Sequence, residues 1–231
     1  MTPKVSICMF AYNQEKFIAE AIDSVLMQKT SFDYELVIGE DCSTDRTRQI
    51  VMDYQKKNPD KIRVLLREKN LGLIQNYVQT INCCQGQYVA LLDADYYWLD
   101  DLKLQRQIDF LDMNLGFSMC CHLARNIDER GISLNEYSMW PGQRDSYTIE
   151  DLFKFCNFIA TSSVVFRRGL FGDFPDWWHQ MEFPDWPLHI LNALHGKIGF
   201  IPAVMSIYRI HSGGRYSGGN PINIKKRKIW M

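Results

Sequence analysis

The chain opens on residues 4–10, Lys-Val-Ser-Ile-Cys-Met-Phe, an almost unbroken apolar run, after which the period changes. Phe17, Ile18, Ala21, Ile22 and Val25 recur at the spacing of one helical face. The same alternation returns with residues 34–38 followed by Thr47, Ile50, Val51 and Tyr54, then with residues 62–66 followed by Ile74, Tyr77, Val78 and Ile81. A fourth apolar run occupies residues 88–92. Strands that read as continuous Val, Ile, Leu and Ala are covered on both faces, and strands alternating with helices at this spacing require a parallel sheet with right-handed crossovers. The pattern predicts an α/β fold, a mostly parallel sheet flanked by helices. It also places the turns after the first four strands on one edge of that sheet, where open α/β sheets hold their ligands.

Local signals add detail. Asn13 is expected to cap the first helix and Ser43 the second, with Asp45 complementing the second helix's dipole. Leu104, Ile108 and Leu111 mark a further helix, and residues 116–123 a further strand. Residues 126–140 are polar and turn-rich, with little period. Thr148-Ile149-Glu150-Asp151 has the form of a capping box opening a short helix. Residues 159–167 read as a strand. An aromatic stretch follows, in which Pro184 and Pro187 suit the first turn of a helix whose Leu188, Leu191 and Leu194 point inward. Residues 197–208 are extended and residues 209–219 are rich in glycine.

Chemistry gathers at the end of the fourth run, where Asp93-Ala94-Asp95 halts the apolar sequence at the rim of the expected sheet. Two carboxylates there are hard oxygen ligands for a cation of the Mg²⁺ or Mn²⁺ type. An isolated Asp-x-Asp is more readily a polar turn capping the next helix, so only its context lifts it. The first turn is not Gly-x-Gly-x-x-Gly, and no Gly-x-x-x-x-Gly-Lys-Ser/Thr occurs, which disfavours both a dinucleotide fingerprint and a P-loop.

Composition narrows the reading. With 231 residues and no Pro/Gly/Ser-rich linker the chain is expected to form one domain. A formal net charge of −1, from 26 basic and 27 acidic residues, supplies no field for nucleic acid. The seven cysteines include the adjacent pairs Cys83-Cys84 and Cys120-Cys121 and no Cys-x-x-Cys, so they are read as small apolar residues of a reducing compartment. No apolar run is long enough to span a bilayer, and a cytoplasmic protein is expected. Lys225-Lys226-Arg227-Lys228 beside Ile229-Trp230-Met231 forms a basic tail that would hold anionic lipid with about 1 kcal/mol per basic residue; the alternative is a solvated or truncated end.

Ala11-Tyr12-Asn13, Glu40-Asp41-Cys42-Ser43-Thr44-Asp45, Asn70-x-Gly72, Asp93-Ala94-Asp95, Pro184-Asp185-Trp186-Pro187-Leu188 and Tyr208-Arg209-Ile210-His211, in this order, resemble the inverting family 2 glycosyltransferases of GT-A, Rossmann-like fold across essentially the whole chain. The resemblance implies a GT-A domain over residues 1–215, with a nucleotide-binding half at about 1–98 and an acceptor half at about 99–215, followed by the tail at 216–231. It implies transfer of a sugar from a nucleotide-sugar donor, a UDP-sugar first of all, to a hydroxyl of a glycan or lipid-linked glycan in cell-surface polysaccharide or lipopolysaccharide assembly. Peripheral contact with the inner face of the membrane would run through the tail. By the same resemblance, the backbone of Ala11, Tyr12 and Asn13 lies against the nucleobase and Asp41 accepts from uracil N3–H. Asn70, Gly72, Ala94 and Arg209 complete the donor site, Asp93, Asp95 and His211 hold Mn²⁺ or Mg²⁺, and Asp185 is the general base with Glu182 its nearest competitor.

The sequence departs from the family at Tyr96, where many relatives carry a further carboxylate, and at Asp101, where many carry proline. His122, His179, His189 and His195 are given no role. Two rival readings are a sugar-nucleotide-forming nucleotidyltransferase, which would need a glycine-rich first turn, and a silent nucleotide- or carbohydrate-binding module using Trp98, Trp140, Trp177, Trp178 and Trp186 as stacking surfaces.

Overall fold

The computed structural model describes residues 2–137 and 144–214. The first half repeats strand and helix as β1 (Val5–Ala11), α1 (Ile18–Leu26), β2 (Tyr34–Glu40), α2 (Thr47–Lys57), β3 (Ile62–Leu66), α3 (Leu73–Cys83) and β4 (Tyr88–Asp93). The second half holds β5 (Tyr97–Trp98), α4 (Lys103–Met113), β6 (Phe117–Asp128), β7 (Ser133–Tyr137), β8 (Ser146–Tyr147), α5 (Ile149–Phe155), β9 (Val165–Arg167), α6 (Asp185–Ala193) and β10 (Lys197–Ile210). The sheet order is β3-β2-β1-β4-β9-β6-β10-β5, with β7 beside β6 and β8 beside β10. β1, β2, β3 and β4 are parallel to one another and β6 is parallel to β10, while β9 and β5 pair antiparallel with their neighbours. This is the single-domain, mostly parallel α/β architecture of the GT-A fold.

Two-sided burial explains the unbroken apolar runs. Val5, Ile7 and Met9 of β1 join Tyr88, Ala90 and Leu92 of β4 in one core with Ile18, Ile22, Leu104 and Ile108. Their sequence neighbours Cys8, Phe10, Val89 and Leu91 enter the other core with Tyr77 and Ile81 of α3. Each such side chain removed from water contributes roughly 1.5–3 kcal/mol, so both faces favour the same register. That register pairs Phe10 with Gly39 on one side and with Asp93 on the other, so β1, β2 and β4 end level and their turns meet. α3 lies flush on β2: a Cβ at Gly39 would stand 2.0 Å from Thr80 Oγ1, and Asn76 Nδ2 donates to the Gly39 carbonyl at 2.8 Å. This close approach sets the depth of the 70–72 turn that leads into α3.

Several expectations are corrected. Asn13 does not cap α1, whose N-cap is Phe17, and Ser43 does not cap α2, whose N-cap is Arg46. Both side chains instead bond across the gap between the first two turns. Asp45 accepts from the Thr47 N–H at 2.9 Å and so serves the start of α2 directly. Residues 159–167 are not one strand. Ser163 folds back on Ala160, donating to its carbonyl from both Oγ (2.7 Å) and N–H (2.8 Å), which makes a short 3-10 turn over Thr161–Ser163 and leaves β9 only three residues. The segment read as turn-rich holds instead the end of β6 and, after a turn in which Asp128 Oδ1 accepts from Arg130 and Ile132 N–H, strand β7. Leu194 is 62% exposed rather than inward.

The capping box at Thr148 and Asp151 is present, and Pro184 and Pro187 lie at the start of α6 as expected. All seven cysteines are free, four of them buried and Cys42, Cys83 and Cys156 partly exposed. Among the described residues no helix is long and apolar enough to cross a membrane. The basic cluster at 225–228 and Trp140 lie outside the described residues.

Candidate active site at the carboxyl edge of the sheet

The first two turns are laced together by their own polar atoms. Asn13, at φ 53°, donates its N–H to Ser43 Oγ (3.0 Å) and accepts the Thr44 N–H on Oδ1 (2.8 Å); Glu15 N–H reaches Asp45 Oδ2 (3.0 Å) and Arg46 N–H reaches Glu15 (3.0 Å). The Asp41 N–H bonds to the Ala11 carbonyl at 2.9 Å, continuing the β1–β2 ladder into the turns. The Asp41 carboxylate, 3% exposed, accepts from Leu71 N–H (2.7 Å) and Gly72 N–H (3.0 Å), fastening the 70–72 turn to the first two. Gly72 sits at φ 79°, a left-handed conformation that glycine adopts without steric cost. Tyr12 and Asn70 remain exposed beside this fixed floor. Each Asp41 oxygen is engaged once by the chain, and a carboxylate oxygen has room for a second donor.

β4 delivers Asp93 and Asp95 to the same edge, and β10 carries His211 to meet them. His211 Nε2 lies 2.9 Å from Asp95 Oδ2, and His211 is 8% exposed. Arg209 is clamped below it, donating from Nε to the Asp95 carbonyl (3.2 Å) and from Nη2 to Glu20 of α1 (2.5 Å), with its guanidinium over the rings of Phe17 (4.7 Å) and Tyr97 (5.6 Å). Tyr96, the departure noted in the sequence, is 8% exposed and packs on Tyr208 with ring centroids 4.5 Å apart, so it backs the site rather than opening into it. Asp93 is hydrogen-bonded with the Thr161 side chain, and burial, then the charges of Asp95 and Asp185, push its carboxyl well above the usual carboxylate range.

Asp185 stands at the start of α6, near enough that its charge bears on Asp93, Tyr77 and Tyr208. Burial raises its pKa, opposed by the N–H groups of Trp186 and of Asp185 itself and by Asn157, whose Nδ2 donates to Oδ2 at 2.6 Å. Glu182, three residues earlier, is exposed.

Among the described residues no three His, Cys, Asp or Glu side chains form a ready-made metal cage. The donors present still suit a divalent cation that completes its shell with phosphate oxygens and water: Asp95 and His211 meet, and the crowding of Asp93, Asp95 and Asp185 leaves a deficit of positive charge that a proton or a cation relieves. A nitrogen donor among them favours Mn²⁺ over Mg²⁺. The fold thus brings together Ala11, Tyr12, Asn13, Asp41, Asn70 and Gly72 as one group, and Asp93, Ala94, Asp95, Asp185, Arg209 and His211 as a second. Sequence reasoning missed Glu20, Asn157 and Thr161, because each is tied to the site by a tertiary hydrogen bond with no local signature. His122 and His189 are buried neutral residues, the latter with its pKa lowered to about 3 by burial, while His179 and His195 are exposed.

Comparison with known proteins bears on both groups. The model described as "Glycosyl transferase family 2" matches residues 6–174, which include Asp41, Asp93 and Asp95 but neither Asp185 nor His211. An uncharacterized protein of Mycobacterium tuberculosis is 36% identical over 227 residues, 98% of this chain and 63% of that protein. A putative teichuronic acid biosynthesis glycosyltransferase of Bacillus subtilis, TuaG, is 33% identical over 66% of this chain and 58% of its own length. In fold, the chain matches S. aureus TarS in complex with UDP (TM-score 0.71, 22% identity, 90% of this chain and 60% of that one). It also matches a mannosyltransferase of Pyrobaculum calidifontis in complex with GDP-Man and Mn²⁺ (TM-score 0.69, 16% identity, 94% of this chain and 60% of that one). The chain therefore spans about 60% of the length of these relatives.

Proposed function

This chain belongs to glycosyl transferase family 2, and we propose that it transfers a sugar from a nucleotide-sugar donor to an acceptor hydroxyl, with inversion at the anomeric carbon. The observation that carries the reading is the convergence of the Asp95–His211 pair and Asp185 on Asp93 at the carboxyl edge of the sheet. The turns built on Asn13, Asp41 and Gly72 take the nucleoside, with Asp41 accepting from uracil N3–H when the base is uracil. Arg209, Asn70 and Ala94 border the diphosphate. Asp95 and His211, with Asp93 beside them, would hold Mn²⁺ or Mg²⁺, which when bound neutralises charge developing on the diphosphate leaving group.

Asp185 takes the proton of the acceptor hydroxyl. The two carboxyl groups differ in degree: burial raises both, like charge pushes Asp93 well above the usual range, and the donors around Asp185, Asn157 among them, oppose its rise. Direct attack by an alcohol activated in this way needs no covalent intermediate, and inversion follows. In this reading the nucleotide half runs over about residues 1–98 and the acceptor half over about 99–215. A UDP-sugar is the first choice of donor, supported by the UDP complex of the similarly folded TarS; the GDP-Man complex of the mannosyltransferase keeps guanosine donors in the screen. The acceptor class, a glycan or lipid-linked glycan of the cell surface, follows the relative named for teichuronic acid biosynthesis. A cytoplasmic setting, with the basic tail against the membrane, completes the reading.

The test is a screen of UDP- and GDP-sugars with Mn²⁺ or Mg²⁺, reading release of nucleoside diphosphate and the anomeric configuration of the product. Release from one donor class in a metal-dependent manner bears the proposal out. Tight binding of nucleotide with no turnover of any donor favours the silent binding module instead.

A further inference from the structure

The strongest unexplained geometry at the site lies behind Asp185. Asn157 follows α5 and spans to α6: its Nδ2 donates to Asp185 Oδ2 at 2.6 Å, and its Oδ1 accepts from the Ile159 N–H at 3.3 Å. The second bond fixes the first, because an amide whose oxygen faces a backbone donor must turn its NH₂ toward the carboxylate. The residue that sends the chain along this path is Cys156, at φ 56° and ψ −155°, a region that side chains other than glycine avoid at a cost of about 1–3 kcal/mol. Two further contacts sew the same helices together: Trp186 Nε1 donates to the Leu152 carbonyl (3.3 Å), and the Phe153 and Trp186 rings meet edge-on with centroids 6.5 Å apart. Strain of this kind persists where the surroundings hold it, and here they hold it one residue from a contact with the carboxylate assigned as base.

Resting on that assignment, we propose that Asn157 is a positioning residue for the transfer reaction, holding Asp185 Oδ2 so that Oδ1 faces the acceptor hydroxyl as an ionised carboxylate. In the step this serves, the acceptor oxygen gives its proton to Oδ1 and forms the new bond to the anomeric carbon. The bond from that carbon to the diphosphate breaks, and its electron pair leaves with the phosphate oxygen. The Asp185 charge bears in turn on Asp93 from β4, Tyr77 from α3 and Tyr208 from β10, and Glu182 lies on the exposed approach to α6. All of them are present in both Asn157 variants below, so differences of those two from wild type report on Asn157.

The experiment compares the whole chain with its Asn157→Ala, Asn157→Asp and Asp185→Asn variants. UDP binding with Mn²⁺ is followed by calorimetry, nucleoside diphosphate release from UDP-glucose, UDP-GlcNAc and GDP-mannose across pH, and the Asp185 carboxyl titration by ¹³C NMR. Both Asn157 variants are expected to bind UDP within about twofold of wild type and to lose about 10–100-fold in kcat, part of what removing a base outright removes. The acidic limb of the rate and the Asp185 titration both move to higher pH, further in Asn157→Asp, where a second carboxylate competes for the proton. The NMR titration reads the contact whether or not turnover is measurable. Wild-type kcat with an unmoved Asp185 titration in both variants overturns the positioning role while leaving the base assignment standing. Wild-type turnover by Asp185→Asn overturns the base assignment itself, and the proposal with it.

Discussion

His211 Nε2 lies 2.9 Å from Asp95 Oδ2 across 116 residues of chain. The pair gives one clear expectation. Asp95→Ala should remove the dependence of UDP binding on Mn²⁺ while the protein stays folded, since Asp95 sits at the rim of the sheet. His211→Ala should weaken Mn²⁺-dependent binding by at least the factor of about 10 that loss of a supporting partner costs at a metal site. Calorimetry with and without Mn²⁺ decides; equal affinities in all three proteins remove this pair from the site.

Asp185→Asn preserves side-chain shape and a hydrogen-bonding oxygen but cannot take a proton. Transfer should fall by about two to four orders of magnitude with donor affinity and melting temperature close to wild type. If the rate holds, Glu182→Gln is the next variant to measure.

Asp41→Ala takes the acceptor from the Leu71 N–H in a sheltered turn, at a cost of about 1–3 kcal/mol, while the Gly72 N–H keeps Asn70 Oδ1 at 2.9 Å. The loss should appear in urea unfolding, and if the proposed contact with the base holds, together with weaker UDP binding. Loss of stability with unchanged nucleotide affinity would confine Asp41 to the turn.

Lys103 is fully buried, donating to Gln107 Oε1 at 2.7 Å and lying 4.0 Å above the Trp98 ring, and burial lowers its pKa from 10.5 to about 7. Between those values the unfolded chain holds a proton that the folded chain does not, so stability rises with pH across the window and the full penalty is present below about pH 7. The slope is on the order of 1.4 kcal/mol per pH unit. Lys103→Met has no such proton, so its melting temperature should exceed wild type most at pH 6–7 and the gap should close toward pH 10. A gap that does not change with pH contradicts the burial of an ionisable amine.

Cys156→Gly relieves the backbone at φ 56° at the cost of a more flexible unfolded chain, and a net gain of about 1 kcal/mol in urea unfolding is expected. A net loss means that the Cys156 side chain itself holds α5 in place.

The sequence revealed most of what depends on burial and little of what depends on tertiary hydrogen bonds. β1 and β4 are legible because they feed two cores at once, and Asp93 because an apolar strand must stop where the sheet meets solvent. Asn13 and Ser43 read as helix caps because such side chains usually bond locally; here each finds the other's turn instead, a pairing no spacing rule anticipates. The antiparallel insertion of β9 was hidden for a related reason, since Ser163 takes a local carbonyl and breaks what reads as one long strand. The sequence puts Asp41 in a turn at the edge of the sheet, but its grip on Leu71 and Gly72 is visible only in three dimensions.

The long reach of β10 also sets an order of construction. Asp41, Gly72, Asp93 and Asp95 are made in the first part of the chain, whereas Arg209 and His211 emerge 189 residues after Glu20 and 116 after Asp95, the residues to which they bond. A ribosome therefore presents a sheet edge whose acidic residues stand without their guanidinium and imidazole partners until β10 slots in beside β6. Closing so wide a loop is slow compared with forming the local βαβ units. Insertion of β10 into the sheet and completion of this edge thus coincide, and a chain stalled before β10 would have its first four strands without Arg209 and His211.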